Sequence, residues 1–419
     1  MADPAVVVDN TGFGDWQREL IKNDRGRPLD LRENAYLVLK YHPIWKGRVA
    51  FDEFAQRALL RSAPDIPGFP EGEWTAQHDL NFGLWCAQIL QCWFKSEKTI
   101  AQGVSMAAYE RRFHPVREWI SAKRWDETPR LDGWMSDCLG VPKTPYSICV
   151  GRFFFLNLIA RVFEPGCICR SVIVLEGKQL RGKSEALRAI AEPWFSDSHL
   201  DLSNKDTFLQ IQGVLLYEIP EMHAFSKADI NLVKQFVSSR EDNFRAPYAA
   251  RSVRVKRQVV IAGSTNEALY LRDWTGNTRI HPVRIDPEGI DPAKLAGMRE
   301  QLFAEAYVLW KKGERRYPTR EQEETLFAPE QEARVIEHPW KAIIEKWLDS
   351  ADPSFCPLNN DQVTTSEILL NCLKFERSRL IDAHEQTVGR IMHSLAWERR
   401  RDSAGARTYR YHRPEVRPK

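Results

Sequence analysis

The chain has 419 residues, 43% hydrophobic and 28% charged, the proportions of a globular protein with room for two or three domains. Its 60 Lys and Arg against 57 Asp and Glu leave a net charge of only +3, so the totals give no ground for a nucleic-acid partner and any such surface must come from local clusters. The longest clear apolar run, FFFLNLIA at 153–160, is too short to span a bilayer, and MADPAVVVDN at the start has neither a basic nor a hydrophobic signal region, so a cytoplasmic protein of a bacterial or phage-infected cell, with no membrane span, is expected.

In chain order, WQRELIKN, the turn DRGRP and RENAYLVLKYHPIWKGRVAFDEFAQRALL read as helices broken by Gly and Pro signals. After the proline-rich loop at 64–74, LNFGLWCAQILQCWF and EKTIAQGVSMAAYERRF resume the helical pattern, so residues 1–165 read as a mainly helical N-terminal region. From Ser171 the texture changes to short β-branched runs, SVIVLEG, GVLLYEIP and RQVVIAGST, separated by helical stretches. That alternation predicts a parallel sheet with covering helices over 166–325.

A charged linker-like segment, KKGERRYPTREQEE, precedes a tail over 335–419. HPWKAIIEKWLDS, TSEILLNCLKF and HEQTVGRIMHSLAWE fit three helices, the second opened by a capping box of Thr364 and Glu367, and ERRRDSAGARTYRYHRP fits a basic hairpin. The expected architecture is an α/β P-loop core with a mainly helical N-terminal domain and a C-terminal winged-helix-like domain. Eight cysteines are scattered, and Cys167-Ile-Cys169, the only close pair, lacks zinc-site spacing and neighbouring histidines, so free thiols are expected.

Gly177-Lys178-Gln179-Leu180-Arg181-Gly182-Lys183-Ser184 satisfies the P-loop pattern and lies where the chemistry needs it, after an apolar strand and before the amphipathic helix that Glu185 opens. These nine positions are the expected nucleotide-binding residues. The glycines let backbone N–H groups face phosphate oxygens, Lys183 places an ammonium on the β- and γ-phosphates, and Ser184 can ligate Mg²⁺. ATP and Mg²⁺ are therefore the expected cofactors. Hydrolysis also needs acid at the end of a neighbouring strand, and GVLLYEIPE supplies Glu218 for the metal and Glu221 for orienting water, roles the sequence leaves exchangeable. The third strand ends in Ser264-Thr265-Asn266, where the Asn266 amide can sense the γ-phosphate and the attacking water.

Together these segments resemble the virulence-associated E family, phage and mobile-element ATPases related to superfamily 3 helicases of the AAA+ class. The resemblance runs through RVFEPGC, VLEGKQLRGKS, WFSDS, EIPEMHAFSKADINLVKQFVSSREDNFRAPY and AGSTNEALYLRDWTGNTRIHPVRI, and through FHPVREWISAKRWDETPRLDGWM upstream. It spans roughly 110–286 and hardly touches the tail. It implies Lys183 and Ser184 as Walker A, Glu218 and Glu221 as the Walker B region and Asn266 as sensor 1. It also implies Arg279, or failing that Arg272, as an arginine finger reaching a neighbouring subunit, and hence a homo-oligomer, with a hexameric ring expected. The family's paired arginines followed by an aromatic are replaced here by Thr278-Arg279-Ile280-His281.

Between the acidic and sensor strands, Arg245, Arg251, Arg254, Lys256 and Arg257 crowd a predicted hairpin that related ring helicases project into their pore, with Phe244 or Tyr248 placed to stack on a base. In the tail, Arg390 on the third helix and Arg399 and Arg400 on the wing are the expected phosphate contacts. The reading is an ATP-driven helicase acting on single-stranded and forked DNA in replication, with a replication initiator or primase as a possible partner. The alternative is an ATP-switched DNA-binding initiator or interference factor that unwinds little.

Overall fold

The computed structural model describes residues 15–179, 182–199, 201, 204, 207–222, 227–244, 252–271, 277–286, 289–352, 354–359, 361–401 and 409–414. The chain divides into two compact units, one of residues 1–267 with 279–327, the other of 268–278 with 328–419.

The first unit opens with helix α1 (Arg32–Tyr41), followed by strands β1 (Val49–Asp52), β2 (Arg57–Leu60) and β3 (Gly72–Glu73), helices α2 (Ala76–Leu90) and α3 (Glu97–Tyr109), and strand β4 (Arg112–Phe113). The helix expected over the second half of RENAYLVLKYHPIWKGRVAFDEFAQRALL is instead a hairpin, with Val49 opposite Leu60 and Asp52 opposite Arg57. Asp52 closes its turn by accepting the amides of Phe54 at 2.7 Å and Ala55 at 3.0 Å, and Gln56 adopts φ of 56°, a local geometry that a helix cannot hold. The four strands form a small sheet, β3-β2-β1-β4, over an aromatic core of Trp45, Phe69, Phe82 and Trp85.

Helices α4 (Pro115–Ser121), α5 (Trp134–Leu139) and α6 (Pro145–Phe163) lead to the larger sheet. Helix α6 starts with a capping box between Thr144 and Ser147 and proline at its first position. It is long and apolar enough by composition to cross a membrane, yet 78% of its apolar window is buried inside this unit, which marks a core helix.

The larger sheet takes β5 (Val172–Glu176), then helix α7 (Lys183–Ala191), β6 (Phe195–Ser196), helix α8 (Thr207–Gln210), β7 (Leu216–Ile219), helix α9 (Lys227–Ser238), the hairpin β8 (Glu241–Phe244) and β9 (Val253–Lys256), β10 (Val260–Thr265) and β11 (Ile280–Arg284). Five of these strands are parallel, in the order β11-β5-β10-β7-β6, while β8 and β9 pair separately. Every residue of β5, β7 and β10 is buried, as continuous apolar runs in a sheet covered on both faces require. Helix α10 (Pro292–Lys311), capped by Asp291, adds Leu295, Leu302 and Phe303 to the core shared with α6 and α7, and α11 (Arg320–Gln322) follows.

The second unit runs through α12 (Ala328–Glu332), α13 (Pro339–Leu348), β12 (Gln362–Val363), α14 (Thr365–Glu367) with a wider turn over Ile368–Cys372, α15 (Asp382–Ser394), β13 (Glu398–Arg401) and β14 (Tyr409–His412). The capping box read from the sequence opens α14: the Glu367 amide donates to Thr364 Oγ1 at 3.2 Å and the Thr364 amide to Glu367 Oε2 at 2.6 Å. Its strands order as β12-β14-β13, around a core of Ile344, Trp347, Ile368, Val388, Ile391 and Trp397. All eight cysteines of the chain are free.

Candidate nucleotide site

In open parallel sheets, ligands bind outside the carboxyl ends of the strands. There β5 gives way to the glycine loop, whose residues 180 and 181 lie outside the described ones, and then to α7. A Cβ on Gly177 would come within 2.9 Å of Ile285 Cγ1, and Gly182 takes φ of 75° immediately before α7, so both positions demand glycine. The first turn of α7, with its free amides and positive dipole end, faces the loop.

Lys183 is the first residue of α7 and only 8% exposed. Its ammonium donates to the carbonyls of Gly177 at 2.7 Å and Lys178 at 2.8 Å and to Asn266 Oδ1 at 2.9 Å, tying the loop to the residue that follows β10. Burial lowers the affinity of this amine for its proton, and the charge of Glu218 opposes that shift.

Glu218 on β7 is completely buried. Its Oε1 accepts Ser184 Oγ at 2.9 Å and Ser264 Oγ at 2.6 Å, whereas Oε2 is buried without a hydrogen-bond partner. Burial raises the carboxyl's pKa above its ordinary value and the two serine hydroxyls pull it back. A serine hydroxyl beside a carboxylate with one unengaged buried oxygen is a donor set suited to Mg²⁺, a hard cation that takes oxygen ligands and retains water.

The site so assembled brings together Gly177, Lys178, Gly182, Lys183, Ser184, Glu218 and Asn266. Gln179 and Glu185 are exposed at its rim, and the charge of Glu185 is felt by Glu218. Glu221 is exposed two residues beyond β7, with φ of 49°. Arg279, partly exposed, donates from Nε to Ser238 Oγ at 3.0 Å at the end of α9. Arg272, Leu180, Arg181, Arg245, Tyr248 and Arg251 lie outside the described residues.

Two expectations are corrected at the hairpin. Arg257 does not face a strand of DNA: it is 1% exposed, donates from Nε to Asp242 Oδ1 at 2.8 Å, and also bonds the Phe236 carbonyl. Its guanidinium lies 4.1 Å from the Phe236 ring centre. Phe244 is likewise buried and packs inward instead of standing free to stack on a base. Arg254 and Lys256 are exposed on β9. In the second unit, Arg390 lines a groove of about 810 Å³ beside Asp382, Glu385 and Arg399. Arg399 stacks over Tyr409 at 4.3 Å, and Arg400 bonds Glu398 at 2.9 Å.

Ser264, which bonds Glu218 at the site, and Asp197, whose charge acts on Glu218, were given no role from the sequence. Asp197 belongs to WFSDS, one of the segments that carry the resemblance, and directly follows the two-residue strand Phe195–Ser196.

Residues 120–336, just over half of the chain, match the virulence-associated protein E-like domain. The chain belongs to that family. The VapE-like span covers the whole parallel sheet, the loop before α7 and the hairpin, and it ends in the segment after α12. Among solved structures, the apo A form of the NrS-1 C-terminal region, residues 305–718, aligns over 91% of this chain and 99% of that chain at 13% identity, with a TM-score of 0.49. A second apo A-form structure of the NrS-1 C-terminal region aligns over 87% and 96% at 12% identity, with a TM-score of 0.45. No curated protein matches the chain.

Proposed function

We propose that this VapE-like protein is an ATP-dependent DNA helicase of a phage or mobile element, with an AAA+ P-loop core of the superfamily 3 type, working in replication as an oligomeric ring, expected to be a hexamer. The observation that carries the reading is the convergence of Lys183, the Ser184–Glu218 pair and Asn266 at the carboxyl ends of three neighbouring strands. A cation for phosphate, an oxygen pair for a metal and an amide for the γ-phosphate are the three parts that nucleotide hydrolysis requires. Mg²⁺, when bound, neutralises charge on the β- and γ-phosphates, and Ser184 and Glu218 are the residues to hold it. Lys183 and the loop amides bind and orient the phosphates, and Ser264 fixes the Glu218 carboxylate in place.

The exposed cations Arg254 and Lys256 on the hairpin support contact with single-stranded DNA, and Arg279 remains the first choice for a finger acting on a neighbouring subunit. The order of elements in the second unit, α13, β12, α14, α15 and then the hairpin of β13 and β14, supports a winged-helix-like module. The pairing of Arg399 and Arg400 with their own neighbours favours a second reading, in which the protein is an ATP-switched DNA-binding initiator or interference factor with little unwinding. The test is hydrolysis of ATP with Mg²⁺ and single-stranded DNA. Wild type is expected to turn over and Lys183→Ala to lose hydrolysis while melting at the same temperature. Turnover retained by Lys183→Ala would remove the assignment.

A further inference from the structure

Glu218 already gives one oxygen to two serine hydroxyls and offers the other, buried and unpartnered, to a ligand. A carboxylate so committed is poorly placed to accept a proton from water. The register of the sheet supplies another. Strands β6 and β7 are parallel with Ser196 opposite Tyr217, so the next residue out, Asp197, lies beside Glu218 at the carboxyl edge and on the same face. Helix α7 addresses both carboxylates from successive turns. Ser184 bonds Glu218 at 2.9 Å, and Arg188, four residues on, bonds Asp197 Oδ2 from Nη2 at 2.9 Å. The Arg188 guanidinium in turn rests 4.9 Å from the Phe195 ring centre. Asp197 is open to water, with 43% of its side chain exposed.

We propose that Asp197, and not Glu221, is the carboxylate that accepts the proton of the attacking water, with Arg188 as its positioning residue. The proposal rests on the site being a nucleotide hydrolase. In the step, the water oxygen bonds to the γ-phosphorus while the bond from that phosphorus to the β–γ bridging oxygen breaks, its electron pair staying on ADP. One water proton passes to Asp197 and then to solvent, leaving ADP and inorganic phosphate. The electrostatic influence of Asp197 on Glu218 and on Tyr217 fits its place beside them. Glu221 lies beyond the end of β7 in a left-handed turn conformation, outside this paired arrangement.

The experiment uses the full chain and compares Asp197→Asn, Asp197→Glu, Glu221→Gln and Arg188→Gln. It measures steady-state ATP hydrolysis with Mg²⁺ and single-stranded DNA, ATP affinity by calorimetric titration, and the melting temperature. Asp197→Asn is expected to lower kcat by about a hundredfold to ten-thousandfold with ATP affinity within about threefold, the range of a lost general base. Asp197→Glu should recover part of the rate, and Arg188→Gln and Glu221→Gln should lose less than Asp197→Asn. A kcat for Asp197→Asn within about threefold of wild type, or a larger loss in Glu221→Gln, overturns the proposal and leaves the nucleotide reading standing. A fall in kcat matched by a fall in melting temperature, without rescue by glutamate, would also overturn it by making Asp197 structural. Failure of wild type to bind ATP would remove both.

Discussion

The correction at Arg257 has a measurable consequence. Arg257 and Asp242 are each 1% exposed, and Arg161, also 1% exposed, donates to the Arg257 carbonyl at 3.3 Å and, at 3.4 Å each, to the carbonyls of Val237 and Ser239. Two guanidinium groups thus cap the end of α9 from inside the protein, with Asp242 as the counter-charge bonded to Arg257. Burial and the neighbouring Arg161 both lower the pKa of Arg257, and Asp242 opposes them. Asp242→Ala strands that charge, and breaking a buried pair from one side costs about 3–5 kcal/mol. At about 2–4 °C per kcal/mol, the first unfolding transition should fall by about 6–20 °C. Replacing both partners, as Asp242→Leu with Arg257→Met, should restore much of that loss, because an apolar pair needs no counter-charge. Arg254→Ala with Lys256→Ala should leave the transition within about 2 °C and weaken binding to single-stranded DNA. Scanning calorimetry and fluorescence anisotropy with a labelled oligonucleotide read the two effects separately. Wild-type melting in Arg257→Met together with lost DNA binding would refute the buried role.

Three further outcomes follow from the same contacts. Removing Arg254 and Lys256 should lower the slope of log affinity against log salt by about 2, one per phosphate contact, and an unchanged slope would take these residues off the DNA path. A Cβ on Gly263 would collide with Met222 Sδ in the turn after β7, so Gly263→Ala should destabilise by about 1–3 kcal/mol in denaturant titration; a neutral result would mean that Met222 is free to move aside. His114, buried between α4 and Gln258, titrates at about 4 because burial disfavours its charged form. Its unfolded value is near 6.5, so the unfolded chain binds more protons between the two values, and stability is whole above about 6.5 and falls as pH drops toward 4. His114→Gln should therefore shrink the stability lost between pH 7 and pH 5 by about 2 kcal/mol, and an equal loss in both proteins would argue against a buried neutral imidazole.

Legibility differed between elements for physical reasons. Three of the five parallel strands, β5, β7 and β10, were readable because both faces are buried, which leaves SVIVLEG, GVLLYEIP and RQVVIAGST as largely apolar runs. The Thr364–Glu367 cap was readable because it is local in sequence. The hairpin at 49–60 was not, since its turn depends on the Asp52 carboxylate folding back on two amides, and VAFDEFAQRALL carries apolar residues at helical spacing too. In the site, Lys183, Ser184, Glu218 and Asn266 could be named from motif and strand ends. Asp197 and Ser264 could not, because what qualifies them is the strand order that sets β6 and β10 on either side of β7. The same limit applied to Arg257: in sequence it is one of a row of cations, and only the inward turn after β9 toward Asp242 separates it from Arg254 and Lys256.

Strand displacement from a forked DNA duplex, with ATP and Mg²⁺ and with Lys183→Ala beside wild type, tests the central claim most directly. The account predicts that wild type separates the strands and that Lys183→Ala does not, although it folds and binds the fork. ATP consumed by wild type with the duplex left intact would contradict translocation and leave the nucleotide-switched reading in its place.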